Sequence, residues 1–94
     1  MEIEKNLVVS TAHITERDSE LLQSGLSSVT AYDNEYFYLV YLNKEIEKQH
    51  LSENGFSEAF ASLYEFAAKH EENFRYLKLD RDGDELEGFP TFEW

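Results

Sequence analysis

The chain contains no cysteine. Disulfides, thiolate metal ligands and a cysteine nucleophile are therefore excluded. One proline and four scattered glycines leave no glycine-rich phosphate loop and no linker that would divide the chain. No run approaches the ~20 apolar residues that a membrane helix needs. The first residues, MEIEKNLVVS, begin acidic and lack the basic start of a signal peptide. The expectation is a cytoplasmic protein with no membrane role. Cations are also scarce: eight Lys and Arg stand against 20 Asp and Glu, for a net charge of −12. Direct nucleic-acid binding needs a cationic surface and is not expected.

What is present is aromatic and apolar enough to fold. Seven Phe, six Tyr and one Trp make up 15% of the residues, too many for a disordered acidic tail. With 94 residues the chain reads as one domain, 1–94, with a small core.

The strongest structural signal is at 56–70, FSEAFASLYEFAAKH. Phe56, Phe60, Leu63, Tyr64 and Ala67 recur on one helical face, widened by Ala59 and Phe66. A shorter helix is predicted over 16–24. Thr15 is its N-cap, Glu16 and Asp18 lie in the first turn where the helix dipole favours acids, and Gly25 follows its end. Four strands are predicted, at 7–10, 27–32, 35–42 and 74–79. The third, EYFYLVYL, is apolar or aromatic on both faces, which suits a central strand or one that exposes a tyrosine row. The polar segment 43–54 has room for a short helix around Ile46.

The order β-α-β-β-α-β predicts an α+β domain of ferredoxin-like order. An antiparallel sheet would carry both helices on one face and leave the other open. The aromatic end, FPTFEW, would dock on the core or add an edge strand, with Pro90 suited to an edge.

Three segments together carry a resemblance: VVSTAHIT at 8–15, EYFYLVYL at 35–42 and LDRDGDELEGFPTFEW at 79–94. They resemble a family of small bacterial proteins classed as a domain of unknown function and carried on plasmids, phages and integrative elements. The resemblance implies a mobile-element setting and no particular activity. In that setting small acidic proteins often act against host defence, by mimicking DNA charge or by plugging a basic groove, and the resemblance makes this an association that the fold does not confer.

Two stretches hold chemistry to weigh. Asp80, Asp82 and Asp84, with Glu85 and Glu87, place carboxylates at the alternate spacing of a calcium loop. Glu85 stands where that loop needs Gly, Thr91 where it needs a bidentate Glu, and a strand precedes it rather than a helix. The ordinary reading is an Asp/Gly turn with solvated charges, in which Arg81 relieves repulsion. His13 lies near Ser10 and Thr11 at a strand-to-helix junction. A hydrolytic role would need a third partner that cannot be assigned, so these groups read as satisfying backbone. His50 and His70 have no second His at metal spacing. No metal or cofactor is expected.

The leading functional expectation is a non-enzymatic binding or inhibitor protein of anti-CRISPR or anti-restriction type. Its partner would be a basic protein surface, that of a nucleic-acid-binding host complex. Asp80, Asp82, Asp84, Glu85 and Glu87 would supply charge; Tyr36, Tyr38 and Trp94 would be anchors. The alternatives are a homodimer formed through the open sheet face, and a metal-dependent enzyme using His13 and the 80–87 loop.

Overall fold

The computed structural model describes residues 5–24, 29–34 and 36–93. In chain order these form β1 (Asn6–Ser10), a 3-10 turn (Thr11–His13), α1 (Glu16–Ser24), β2 (Ala31–Asp33), β3 (Phe37–Tyr41), α2 (Lys48–Glu53), α3 (Glu58–Ala68) and β4 (Tyr76–Asp80). Gly25 and Trp94, both singled out from sequence, lie outside the described residues, as do two residues of the expected second strand.

The sheet order is β1-β4-β3-β2. β1 and β4 run parallel, whereas β3 is antiparallel to both β4 and β2. This corrects the expected all-antiparallel ferredoxin-like sheet. The reason is the additional helix. A single helix returns the chain to the end where the preceding strand began, so the next strand repeats its direction. Here α2 and α3 together carry the chain across twice, and β4 enters antiparallel to β3. It then inserts between β3 and β1. The short helix expected around Ile46 starts two residues later, as α2, with Leu51 as its buried residue.

One sheet face is covered. Val9, Leu77, Leu79 and Val40 are buried with Leu22 of α1, Leu51 of α2, and Phe60, Leu63, Tyr64 and Ala67 of α3 in a single cluster. Phe56 stacks on Phe60 with ring centroids 4.5 Å apart. Ala61 and Ala68, rather than Ala59 and Phe66, complete the buried stripe of α3. Phe66 is partly exposed and meets Phe89 of the C-terminal segment edge to face, at 5.3 Å. The Tyr64 hydroxyl accepts from the Asn43 N–H at 2.9 Å and donates to the Tyr41 carbonyl at 3.1 Å. It thereby fastens α3 to the end of β3. Burial pushes this hydroxyl above the usual tyrosine value of 10.0, and the Asn43 N–H opposes that shift.

The other face is open, and β3 is central as expected. Its residues divide differently from a tyrosine row, however. Phe37, Leu39 and Tyr41 are on the open side, where Tyr41 meets Tyr76 edge to face at 5.1 Å and Lys78 sits 4.4 Å from the Phe37 ring centre. Tyr38 pairs with Leu79 and packs against the core instead.

Two buried polar groups join distant parts of the chain. Asp18 is 0% exposed. Its carboxylate accepts from the Thr15 N–H at 2.9 Å, while Thr15 Oγ1 accepts from the Asp18 N–H at 3.1 Å: a reciprocal capping box. The same carboxylate accepts from the Ser57 N–H at 2.8 Å and hydroxyl at 2.6 Å. Ser57 in turn caps α3, its Oγ accepting from the Phe60 N–H at 3.1 Å. One carboxylate thus lies at the N-termini of α1 and α3, where both helix dipoles favour negative charge. The second group, His13, belongs to the site.

Candidate functional site

The chain changes direction at the carboxyl ends of the parallel pair β1 and β4, and the strands expected to carry chemistry end there. Ser10, the last residue of β1, turns its Oγ back to cap the Ala12 N–H at 3.0 Å and opens the 3-10 turn. This places His13 inside, 1% exposed. Its Nδ1 lies 2.9 Å from the Pro90 carbonyl, and its Nε2 accepts from the Leu86 N–H at 2.7 Å. A carbonyl only accepts and an amide only donates, so the partners fix the proton on Nδ1. Both ring nitrogens are engaged with backbone, which leaves His13 no lone pair for a base and no free ligand position. The expected structural role holds, with a difference: the imidazole satisfies the C-terminal segment, not the junction itself.

The 80–87 loop is laid along β1. Asp80 accepts from the Asp82 N–H at 2.9 Å, an Asx turn. The Ser10 N–H donates to the Asp84 carbonyl at 2.9 Å. Gly83 packs so closely that a Cβ there would lie 2.6 Å from the Val9 carbonyl oxygen. Glycine is thus required by approach to β1, not by a calcium turn. Among the described residues, no three His, Asp or Glu side chains converge as a metal group. Asp80 lies 3.7 Å from Lys78 Nζ as an ion pair. Asp82, Asp84, Glu85 and Glu87 are exposed.

Beside this loop lies a cavity of about 530 Å³, lined by Ser10, Thr11 and Ala12 after β1, Asn34, Tyr36 and Tyr38 from the β2–β3 hairpin, Arg81 after β4, and Phe92 and Glu93. Four separate stretches of chain build it. Asn34 Oδ1 accepts from the N–H groups of Tyr36 and Phe37 at 2.8 and 2.9 Å, and the Arg81 N–H reaches the Tyr36 carbonyl at 3.1 Å. Phe92 is tied down by its N–H to the Ala12 carbonyl at 2.7 Å. The C-terminal segment therefore docks, as coil and not as a fifth strand.

Two of the expected anchors meet here. Tyr36 is 62% exposed at the mouth. Tyr38 is half-buried, with its hydroxyl accepting from Gln23 Nε2 at 2.8 Å, so it is a wall of the cavity. Trp94 lies outside the described residues. Sequence reasoning did not single out Arg81 and Asn34 for binding; only their assembly from distant segments, with Phe92 of the aromatic end, reveals them.

The sequence matches the model of a family described as family of unknown function (DUF5983), C-terminal domain, over residues 6–94. The chain belongs to this family. The match begins at the first residue of β1, so the DUF5983 domain takes in the whole sheet, all three helices and the docked C-terminal segment. No curated protein and no solved structure shows significant similarity to it. The family description assigns no activity, and the mobile-element setting suggested by the three segments is not part of it. No helix among the described residues is long and apolar enough to cross a membrane.

Proposed function

We propose that this DUF5983 domain acts by binding, presenting the 80–87 loop to a basic surface on another protein. One observation carries the reading. The loop backbone is held at Asp82, Asp84 and Leu86, while the side chains of Asp82, Asp84, Glu85 and Glu87 are exposed, with no hydrogen bond or ion pair among the described residues. With the loop backbone already held, only the acid side chains remain to be ordered on association, and such preorganisation favours binding. The net charge of −12 steers a cationic partner towards them. Tyr36, exposed where β3 meets Arg81, is the anchor closest to this loop. A groove-plugging inhibitor of a nucleic-acid-handling host complex fits the mobile-element resemblance. The engagement of both His13 nitrogens weighs against hydrolysis through that residue.

The test is capture from host lysate with the intact domain as bait, eluted by rising salt and compared with the Asp82→Lys/Asp84→Lys/Glu87→Lys variant. A basic protein released by salt and lost in the variant supports the proposal. Undiminished capture by the variant overturns the charge account.

A further inference from the structure

We infer that the cavity at the carboxyl ends of β1 and β4 is a site for a free amino acid with an aromatic or bulky apolar side chain. The observation behind it is Arg81. Among the described residues, Lys5, Arg17, Lys48, Lys69 and Lys78 each form an ion pair. Lys44 bonds the Asn73 side chain and Arg75 bonds the Tyr41 hydroxyl. Among the described residues the Arg81 guanidinium alone has no side-chain partner, in a chain where acids outnumber bases by 20 to eight, and it lines a cavity.

The groups around Arg81 are mostly donors as well. The Asn34 oxygen is consumed by two backbone N–H groups, which leaves its Nδ2 to donate. The Thr11 and Tyr36 hydroxyls have no partner among the described residues and line the same space. A planar guanidinium flanked by neutral donors matches a carboxylate, which accepts two parallel hydrogen bonds. Glu93 stands on the opposite side of the balance, as the one carboxylate among the described lining residues. It disfavours a ligand that carries only negative charge, as does the field of a chain at −12. It suits an ammonium. A carboxylate for Arg81, an ammonium for Glu93 and no net charge describe an α-amino acid. The rings of Tyr36, Tyr38 and Phe92 supply an apolar wall for its side chain. The volume of about 530 Å³ lies within the range of small-molecule sites. The site shares Tyr36 with the proposed partner surface but none of the exposed acids of the 80–87 loop, so Arg81→Gln and the triple loop variant separate the failure of one reading from that of the other.

The experiment is an NMR titration of the intact domain with L-phenylalanine up to about 10 mM, alongside 3-phenylpropionate, phenethylamine and adenosine monophosphate. Saturable shifts at Thr11, Asn34, Tyr36 and Phe92 with L-phenylalanine, and at least tenfold weaker effects of the two one-charge analogues, support the inference. Arg81→Gln should weaken L-phenylalanine about tenfold or more, and Tyr36→Ala should also weaken it; both positions are exposed, and their melting temperatures should stay at that of the parent. The triple loop variant should bind L-phenylalanine as the parent does. Absence of saturable shifts, unaltered binding in Arg81→Gln, or stronger binding of the phosphate or of either one-charge analogue would each overturn the inference.

Discussion

Two acidic regions of this domain do opposite things. At Asp18, one carboxylate is fully buried and takes three hydrogen bonds from Thr15 and Ser57. In the 80–87 loop, four carboxylates are exposed and bond nothing among the described residues, while the backbone beneath them is tied to Ser10 and His13. The difference shows how a strongly acidic chain divides its charge. The acid that holds the fold together is the one withdrawn from water; the acids in the most conspicuous run depend on backbone anchors and stay free. A count of carboxylates cannot separate the two roles, because only burial and donor geometry distinguish them.

The comparison is broken most severely at Asp18. Asp18→Ala leaves the N–H groups of Thr15 and Ser57 without their acceptor and uncouples the N-termini of α1 and α3. The expected cost is about 3 kcal/mol or more, because hydrogen bonds to a charged group are lost and buried donors are left unsatisfied. Urea denaturation of the variant measures it. A loss under about 1 kcal/mol would show that the carboxylate is not a structural centre.

At the other region the structural weight falls on His13. His13→Ala removes the acceptor of the Leu86 N–H and the donor to the Pro90 carbonyl, and leaves a void against Phe89. About 2–3 kcal/mol of stability should be lost. The amide of Leu86 should exchange faster than amides of β4. Uniform acceleration across the molecule would mean that the C-terminal segment is not a separate, clamped unit.

A smaller effect lies at Tyr64, a buried neutral counterpart to Asp18. Tyr64→Phe keeps the ring and removes the link between Asn43 and Tyr41, at an expected cost of about 1–2 kcal/mol. Its hydroxyl titrates above its unfolded value of 10.0. The folded state therefore holds the proton more tightly. That contribution is fully present below pH 10.0 and is lost as pH rises through the folded value. Stability of the parent should fall more steeply than that of Tyr64→Phe in this alkaline window; parallel curves would remove the hydroxyl from the account.

Much of the fold was legible before the structure. Thr15 and the acids after it mark the start of α1, and the period of Phe60, Leu63, Tyr64 and Ala67 marks α3. The alternation of Leu77 and Leu79 marks β4. The error in topology arose at α2. Its six residues bury only Leu51, and its N-cap, Glu47, makes no side-chain capping bond. Neither periodicity nor a cap announces it, yet its presence reverses the direction of β4. Asp18 was read as a first-turn acid, which it is, but its partner Ser57 is 39 positions away. The cavity is harder still. Arg81 sits among acids in sequence and looks like their counter-charge. Only when Asn34, Tyr36 and Phe92 come to it from other segments does it become the centre of a site.

The mildest expected effect on stability is also the sharpest test of the division of roles. The Asp82→Lys/Asp84→Lys/Glu87→Lys variant moves the net charge by two per position, from −12 to −6. None of the three side chains bonds anything among the described residues, and the groups that anchor the loop are the Asp80 carboxylate, the Asp84 carbonyl and the Leu86 N–H, all retained. Folding stability should therefore change by less than about 0.5 kcal/mol, or rise slightly as self-repulsion falls. Any salt-dependent partner binding should be lost. If the variant instead unfolds as Asp18→Ala does, the loop acids carry structural weight and the two regions are not opposites. If it stays folded and keeps its partner, the acids serve neither fold nor binding, and the search for the contact surface moves to the open sheet face around Tyr41 and Tyr76.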